Sequence, residues 1–193
     1  MTRKRAVRAA GLAALVAVVA ALAVAPVAHP WIINDSSSMP VGLYALDPVD
    51  RPIVRGDTVV VCAPPAIAAL SAARGYLESG ACSSNTAPLL KLVAAMAGDV
   101  VELRPRSIEI GGRCLGSSPT FEADRTGRPL PRIPRGRYRL RAGQLWLWAP
   151  AERSFDSRYF GPVDAGAVVH FARAMIVGGP AASLARSNGP CAG

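Results

Sequence analysis

Residues 89–103 read LLKLVAAMAGDVVEL, two apolar runs set on either side of a Gly98-Asp99 turn. Short apolar runs bounded by turn residues predict strands, and Val100 to Leu103 continues the chain as a second one. One charge interrupts the first run. In a strand, residues two apart share a face, so Lys91 lies with Leu89 and Val93 and is expected to be partly desolvated. Burial disfavours the ammonium form and lowers the pKa, and a neutral amine can activate a serine hydroxyl as general base without a histidine. The pentapeptide Leu89 to Val93 taken alone also suits a lysine snorkelling at a sheet edge.

Outward from this stretch the pattern repeats. Asp57 to Cys62 contains four consecutive β-branched residues, Thr58, Val59, Val60 and Val61, entered through Gly56 and ended by Pro64-Pro65. Ala66 to Ala73 has room for one or two helical turns, and Leu77 to Pro88 reads as a polar loop. Ser107 to Ile110, followed by Gly111-Gly112, reads as a hairpin arm. Leu115 to Arg135 lacks any helical period, whereas Gln144 to Ala149 and Ala167 to Phe171 are strand-like. Many short strands and almost no helix predict a mainly β, antiparallel domain.

Ahead of that domain, Ala10 to Ala28 carries no charge. At about 1.5 Å per residue it is long enough to cross a bilayer as one helix. Arg3, Lys4, Arg5 and Arg8 precede it, so the positive-inside rule leaves residues 1–9 in the cytoplasm, residues 10–28 as a transmembrane anchor and residues 29–193 on the outer face of a bacterial inner membrane. A cleaved secretory signal competes with the anchor, but Pro26 disfavours scission at the candidate small-residue sites. Either reading exports the domain.

The net charge of +9, from 22 basic and 13 acidic residues, is partly spent on that basic start. The remaining arginines are scattered through Pro- and Gly-rich sequence. They suit a solvated face or contact with anionic lipid headgroups rather than nucleic acid. The four cysteines are Cys62, Cys82, Cys114 and Cys191. They show no C-x-x-C spacing or nearby histidine that would hold a metal, and no cofactor is expected. In an exported domain pairing is the default, and Cys62 with Cys82, which bracket one polar insertion, is the favoured pair of three possible connectivities.

Ser36-Ser37-Ser38-Met39-Pro40 lies ten residues beyond the anchor, where a nucleophile would face a substrate emerging from the bilayer. A histidine triad is disfavoured: the two histidines are His29, against the membrane, and His170, in a strand-like run, and no serine sits in a G-x-S-x-G elbow.

The ordered set SSSMP (36–40), GDTVVV (56–61), LLKLVAAMAGDVVEL (89–103) and SFDSRYFGPV (154–163) resembles the successive boxes of type I signal peptidases. SMPVGLY (38–44), GYLESGAC (75–82) and SFDSRYFGPV are closer to the TraF-type peptidases of conjugative transfer. The resemblance implies a signal-peptidase-like catalytic domain and a membrane-anchored serine endopeptidase that processes, and in some cases cyclises, an exported pilin-like precursor. By matching position, it implies Ser38 as nucleophile and Lys91 as general base. It makes Ser36 and the Ser38 N–H the oxyanion donors, Ser154 a hydroxyl bonded to the lysine, and Asp156 with Arg158 a structural ion pair. Departures concern the groove: Trp148-Ala149-Pro150 stands where housekeeping enzymes carry Gly-Asp-Asn, and Leu92 where they carry a basic residue. The competing readings are a housekeeping signal peptidase, a non-catalytic membrane-tethered scaffold, and an autocleaving repressor of the LexA type. The last is disfavoured by the anchor and the lack of a DNA-binding helix pair.

Overall fold

The computed structural model describes residues 30–115, 118–180, 182 and 184. The basic segment 1–9, the expected anchor over 10–28 and Cys191 lie outside them. No helix among the described residues is long and apolar enough to cross a membrane.

In chain order the strands are β1 (Trp31–Asn34), β2 (Gly42–Asp47), β3 (Thr58–Val61), β4 (Leu89–Met96), β5 (Val100–Leu103), β6 (Ile108–Ile110), β7 (Arg113–Leu115), β8 (Gly136–Arg139), β9 (Gln144–Trp148), β10 (Val163–Asp164) and β11 (Val168–Val177). Helix α1 (Pro65–Ala73) follows β3, and α2 (Ser157–Phe160) follows β9. The domain is mainly β and its described strand pairs are antiparallel. A seven-stranded sheet has the order β1-β2-β11-β3-β4-β9-β10, and a four-stranded sheet the order β7-β6-β5-β8.

Strand β4 is the spine of this arrangement. It pairs with β3, Lys91 opposite Val59, and with β9, Leu92 opposite Trp148. Both of its faces are covered. Leu90, Leu92 and Ala94 pack in one cluster with Met39, Trp146 and, from the smaller sheet, Val101, Leu103 and Ile108. Leu89 and Val93 pack in a second cluster with Val59, Leu147, Phe171 and Ala68 of α1. A strand buried on both sides has no need of alternation, which is why the run reads as continuously apolar.

Two glycines explain local sequence. Gly42 has φ +148°, and a Cβ there would lie 2.1 Å from Ile176 O, so β2 can approach β11 only without a side chain. Gly111 and Gly112, with φ of 58° and 80°, supply the two positive dihedrals that a tight hairpin between β6 and β7 requires. The structure also contains elements the sequence pattern does not announce. Trp31–Asn34 forms the edge strand β1, the arginine-rich Gly136–Arg139 forms β8 against β5, and β11 extends over ten residues to Val177.

Cys62 and Cys82 are joined by a disulfide that closes a 20-residue stretch holding α1 and the polar loop. Cys114 is disulfide-bonded as well. A cross-link over a loop of that length removes about 3 kcal/mol of denatured-state entropy. The variant Cys62→Ala/Cys82→Ala is therefore expected to lose about 3 kcal/mol of unfolding free energy in urea titrations, with Ala68 and its neighbours loosening first. A change of under about 0.5 kcal/mol would show that the loop is held by its other contacts.

Candidate functional site

The site is assembled from a turn, a strand and a buried ion pair. Residues Asp35 to Val41 turn the chain from β1 into β2. The turn is anchored at both ends, because a polar loop over an apolar core must satisfy its backbone locally. Met39, 3% exposed, plugs into the cluster around Leu90 and Leu92. Tyr44 Oη donates to Pro40 O at 2.7 Å. Asn34, buried at the end of β1, places Nδ2 3.1 Å from each of the carbonyl oxygens of Ser36, Met39 and Pro40. Its Oδ1 accepts the Ser36 hydroxyl at 2.7 Å. Ser36 Oγ lies 3.0 Å from Ser38 Oγ.

Lys91 reaches the turn from β4. Its side chain is 2% exposed, and Nζ lies 3.1 Å from Ser38 Oγ across 53 residues of sequence. Burial pushes its pKa down from 10.5 to about 8; the Asp156 carboxylate opposes that shift and the Arg158 guanidinium adds to it. A near-neutral amine within hydrogen-bond reach of a hydroxyl can take that hydroxyl's proton.

Asp156 and Arg158 lie behind Lys91 with no exposed surface. Arg158 Nε and Nη2 each donate to Asp156 at 2.8 Å, a two-point pair. Desolvation works against the guanidinium charge, but the Asp156 charge and hydrogen bonds hold its pKa above the usual value. The remaining Arg158 protons go to carbonyls of Pro119, Glu152, Ala151 and Ser154. Asp156 also caps α2 by accepting the Arg158 N–H, and it accepts the Ala149 N–H at 3.3 Å. The pair thus ties the turn before α2 to the end of β9, beside the strand that carries Lys91.

Ser154 departs from the role its position implies. Its hydroxyl is buried without a hydrogen-bond partner, while its carbonyl is held by Arg158 and the Lys91 hydrogen bond goes to Ser38. It lines, with Lys91 and Ser36 to Ser38, a cleft of about 590 Å³ whose other walls include Ile32 and Ile33 of β1, Gly75 to Glu78, Ala87 to Leu90, and Phe155. The structure therefore brings Ser36, Ser38 and Lys91 into contact and sets Asp156 and Arg158 behind them. Asn34 was not legible as a site residue: one Asn before a Ser run carries no signal until its side chain is seen turned back on the loop.

Comparison with known proteins identifies the relatives of this chain. The family described as "Signal peptidase, peptidase S26" matches residues 3–177. The "Probable conjugal transfer protein TraF" of Sinorhizobium fredii (strain NBRC 101917 / NGR234) is 35% identical over 82% of this chain and 85% of its own length. The "Conjugal transfer protein TraF" of Agrobacterium fabrum (strain C58 / ATCC 33970) is 37% identical over 77% of this chain and 83% of its own. A crystal structure of a signal peptidase I from Enterococcus faecalis V583 shows 17% identity over 63% of this chain and 97% of that one, at a TM-score of 0.35, too slight a likeness to bear on the fold.

The buried pair makes a stability prediction. Arg158→Met strands Asp156 without its partner and is expected to cost about 3–5 kcal/mol, as is Asp156→Ala, which strands the guanidinium. Removing both should cost less than the sum of the two by at least about 1 kcal/mol. Urea unfolding of the three variants measures this coupling, and strict additivity would mean that the two groups stabilise the domain separately.

Proposed function

Since the chain belongs to the signal peptidase family S26 and is related to TraF proteins of conjugal transfer, we propose that Ser38 and Lys91 are the nucleophile and general base of a serine endopeptidase. One observation carries the reading: a lysine 2% exposed, with a pKa of about 8, whose Nζ is 3.1 Å from the hydroxyl it would deprotonate. Lys91 in its neutral form takes the Ser38 proton as Oγ attacks the scissile carbonyl carbon. The oxyanion so formed is met by the Ser38 N–H and, once its proton turns from Asn34 Oδ1, by the Ser36 hydroxyl, donors worth several kcal/mol when aimed at developing charge. The Lys91 ammonium then gives its proton to the departing amine, leaving an acyl ester on Ser38. Water resolves the ester to a carboxylate, or the substrate's own amino terminus resolves it to a cyclic peptide.

The TraF relatives favour a pilin-like precursor in conjugation as substrate over the general run of signal peptides. The enzyme would work from the outer face of the inner membrane, held by residues 10–28 in the same bilayer as its substrate. The cleft lies between edge strand β1 and the start of β4.

Ser38→Ala and Lys91→Ala are each expected to reduce cleavage of an anchored precursor by about a thousandfold or more while Ser38→Ala leaves the fold intact. Full activity in either variant removes the assignment. Because the active form of Lys91 is the unprotonated one, kcat/KM should rise with pH through an inflection near 8, falling about tenfold per unit below it. A profile centred near the histidine range would point to another base. The product mass separates the two resolutions of the ester, since a hydrolysed product carries one water more than a cyclised one.

A further inference from the structure

The hydrogen bonds around Ser38 have a direction that a donor and acceptor count determines. Asn34 can be oriented only one way: turned over, its carbonyl oxygen would face the three carbonyls that now lie 3.1 Å from Nδ2. The group facing Ser36 is therefore Oδ1, which can only accept, so the single proton of Ser36 is committed to Asn34 at 2.7 Å. Ser36 has none left for the 3.0 Å contact with Ser38, and Ser38 must be the donor there. Lys91 in turn donates to the lone pair that Ser38 leaves free.

We propose that Asn34 is a positioning residue that fixes the direction of a chain running from Lys91 through Ser38 and Ser36 to its own Oδ1, and so keeps the Ser38 proton turned away from Lys91 in the resting protein. For Lys91 to take that proton, it must swing from Ser36 to Nζ. While Asn34 holds the Ser36 proton, the swing leaves two hydroxyl oxygens 3.0 Å apart with nothing between them. An amine can still donate to Ser38, but an ammonium donates more strongly and has no lone pair left facing a hydroxyl that offers it no proton, so this direction favours the charged lysine. Without Asn34, Ser36 could turn its proton towards Ser38, freeing the Ser38 proton for the lone pair of a neutral Lys91, a bond that favours the uncharged form.

The consequence is a shift whose sign separates this role from a merely structural one. Hydrogen bonds that favour the charged form raise a lysine's pKa, so losing the Asn34 acceptor lowers it. A loop that simply loosened would admit water to Lys91 and move its titration up, back towards 10.5. The charged groups acting on Lys91 are Asp156 and Arg158, and Asp35, Glu78 and Arg153 line the same cleft. All remain in place when Asn34 is replaced.

The chain has two lysines, Lys4 and Lys91, so lysine-selective isotope labelling gives two side-chain signals to follow by NMR across pH. In the full-length protein in detergent, Asn34→Leu, close to Asn in shape, is expected to lower the Lys91 midpoint by roughly one pH unit. Ser36→Ala removes the middle of the chain but none of the three carbonyl contacts, and should lower it similarly. The double variant should go no lower than Ser36→Ala alone, because Asn34 acts through Ser36. If Asn34→Leu does not fold, Ser36→Ala decides the matter. A midpoint that stays or rises in either folded variant overturns the proposal. The direction matters for catalysis only if Lys91 is the base for Ser38, yet the titration needs no substrate. A shifted midpoint in a protein inactive on every precursor leaves the chain standing and removes the peptidase, and an active enzyme with an unmoved midpoint does the reverse.

Discussion

Lysine is among the side chains least tolerant of losing water, and here one sits in the middle of a strand walled in on both faces. Moving its pKa from 10.5 to about 8 corresponds to roughly 3 kcal/mol of disfavoured charge. The domain offsets that cost with the apolar area it encloses. Leu90 and Leu92 point into one cluster, Leu89 and Val93 into the other, and Lys91 shares the second face. The dehydration is thus a by-product of where β4 lies. A central strand must be covered on both sides, and any side chain on it is deprived of solvent whether or not it can bear it.

Around that constraint the polar groups form two separate networks. One consists of Asn34, Ser36 and Ser38, which satisfy the turn between β1 and β2 and set a row of hydroxyls beside Nζ, the nearest of them accepting its hydrogen bond. The other is the Asp156–Arg158 pair, whose spare protons bind four backbone carbonyls. Buried ion pairs are weak evidence for stability but good devices for fixing geometry. This one binds the turn before α2 to β9, the neighbour of β4, and its two opposite charges act on Lys91 with opposite sign. Burial therefore dominates the lysine's titration.

Much of the fold could be read from local pattern. Thr58 to Val61, Val100 to Leu103 and Gln144 to Trp148 are strands because β-branched and aromatic runs between turn residues have few other uses. Other elements were hidden for physical reasons. Strand β8 is half exposed and rich in arginine, so no apolar alternation marks it, and its existence depends on β5 being there to pair with. Strand β1 is short and lies at an edge, with Ile33 69% exposed. For the site, the order of the four boxes was enough to single out Ser38 and Lys91. Asn34 was not legible, and neither was the unpartnered hydroxyl of Ser154, because residue type alone does not say which way a side chain turns: Asn34 bonds only to groups within six residues, but the course of the turn decides that it does.

By itself the sequence determined the class of the domain and the polar insertion between Cys62 and Cys82, since these follow from composition, spacing and turn chemistry over a few residues at a time, whereas Ser38 and Lys91 stood out only through the resemblance of four ordered boxes to a family. Only the tertiary structure decided that the lysine is enclosed rather than snorkelling, that its amine meets one serine of three, and which way the hydroxyl protons run. Those properties belong to distances between segments more than fifty residues apart, and a hydrogen bond's direction is set by every donor and acceptor that surrounds it.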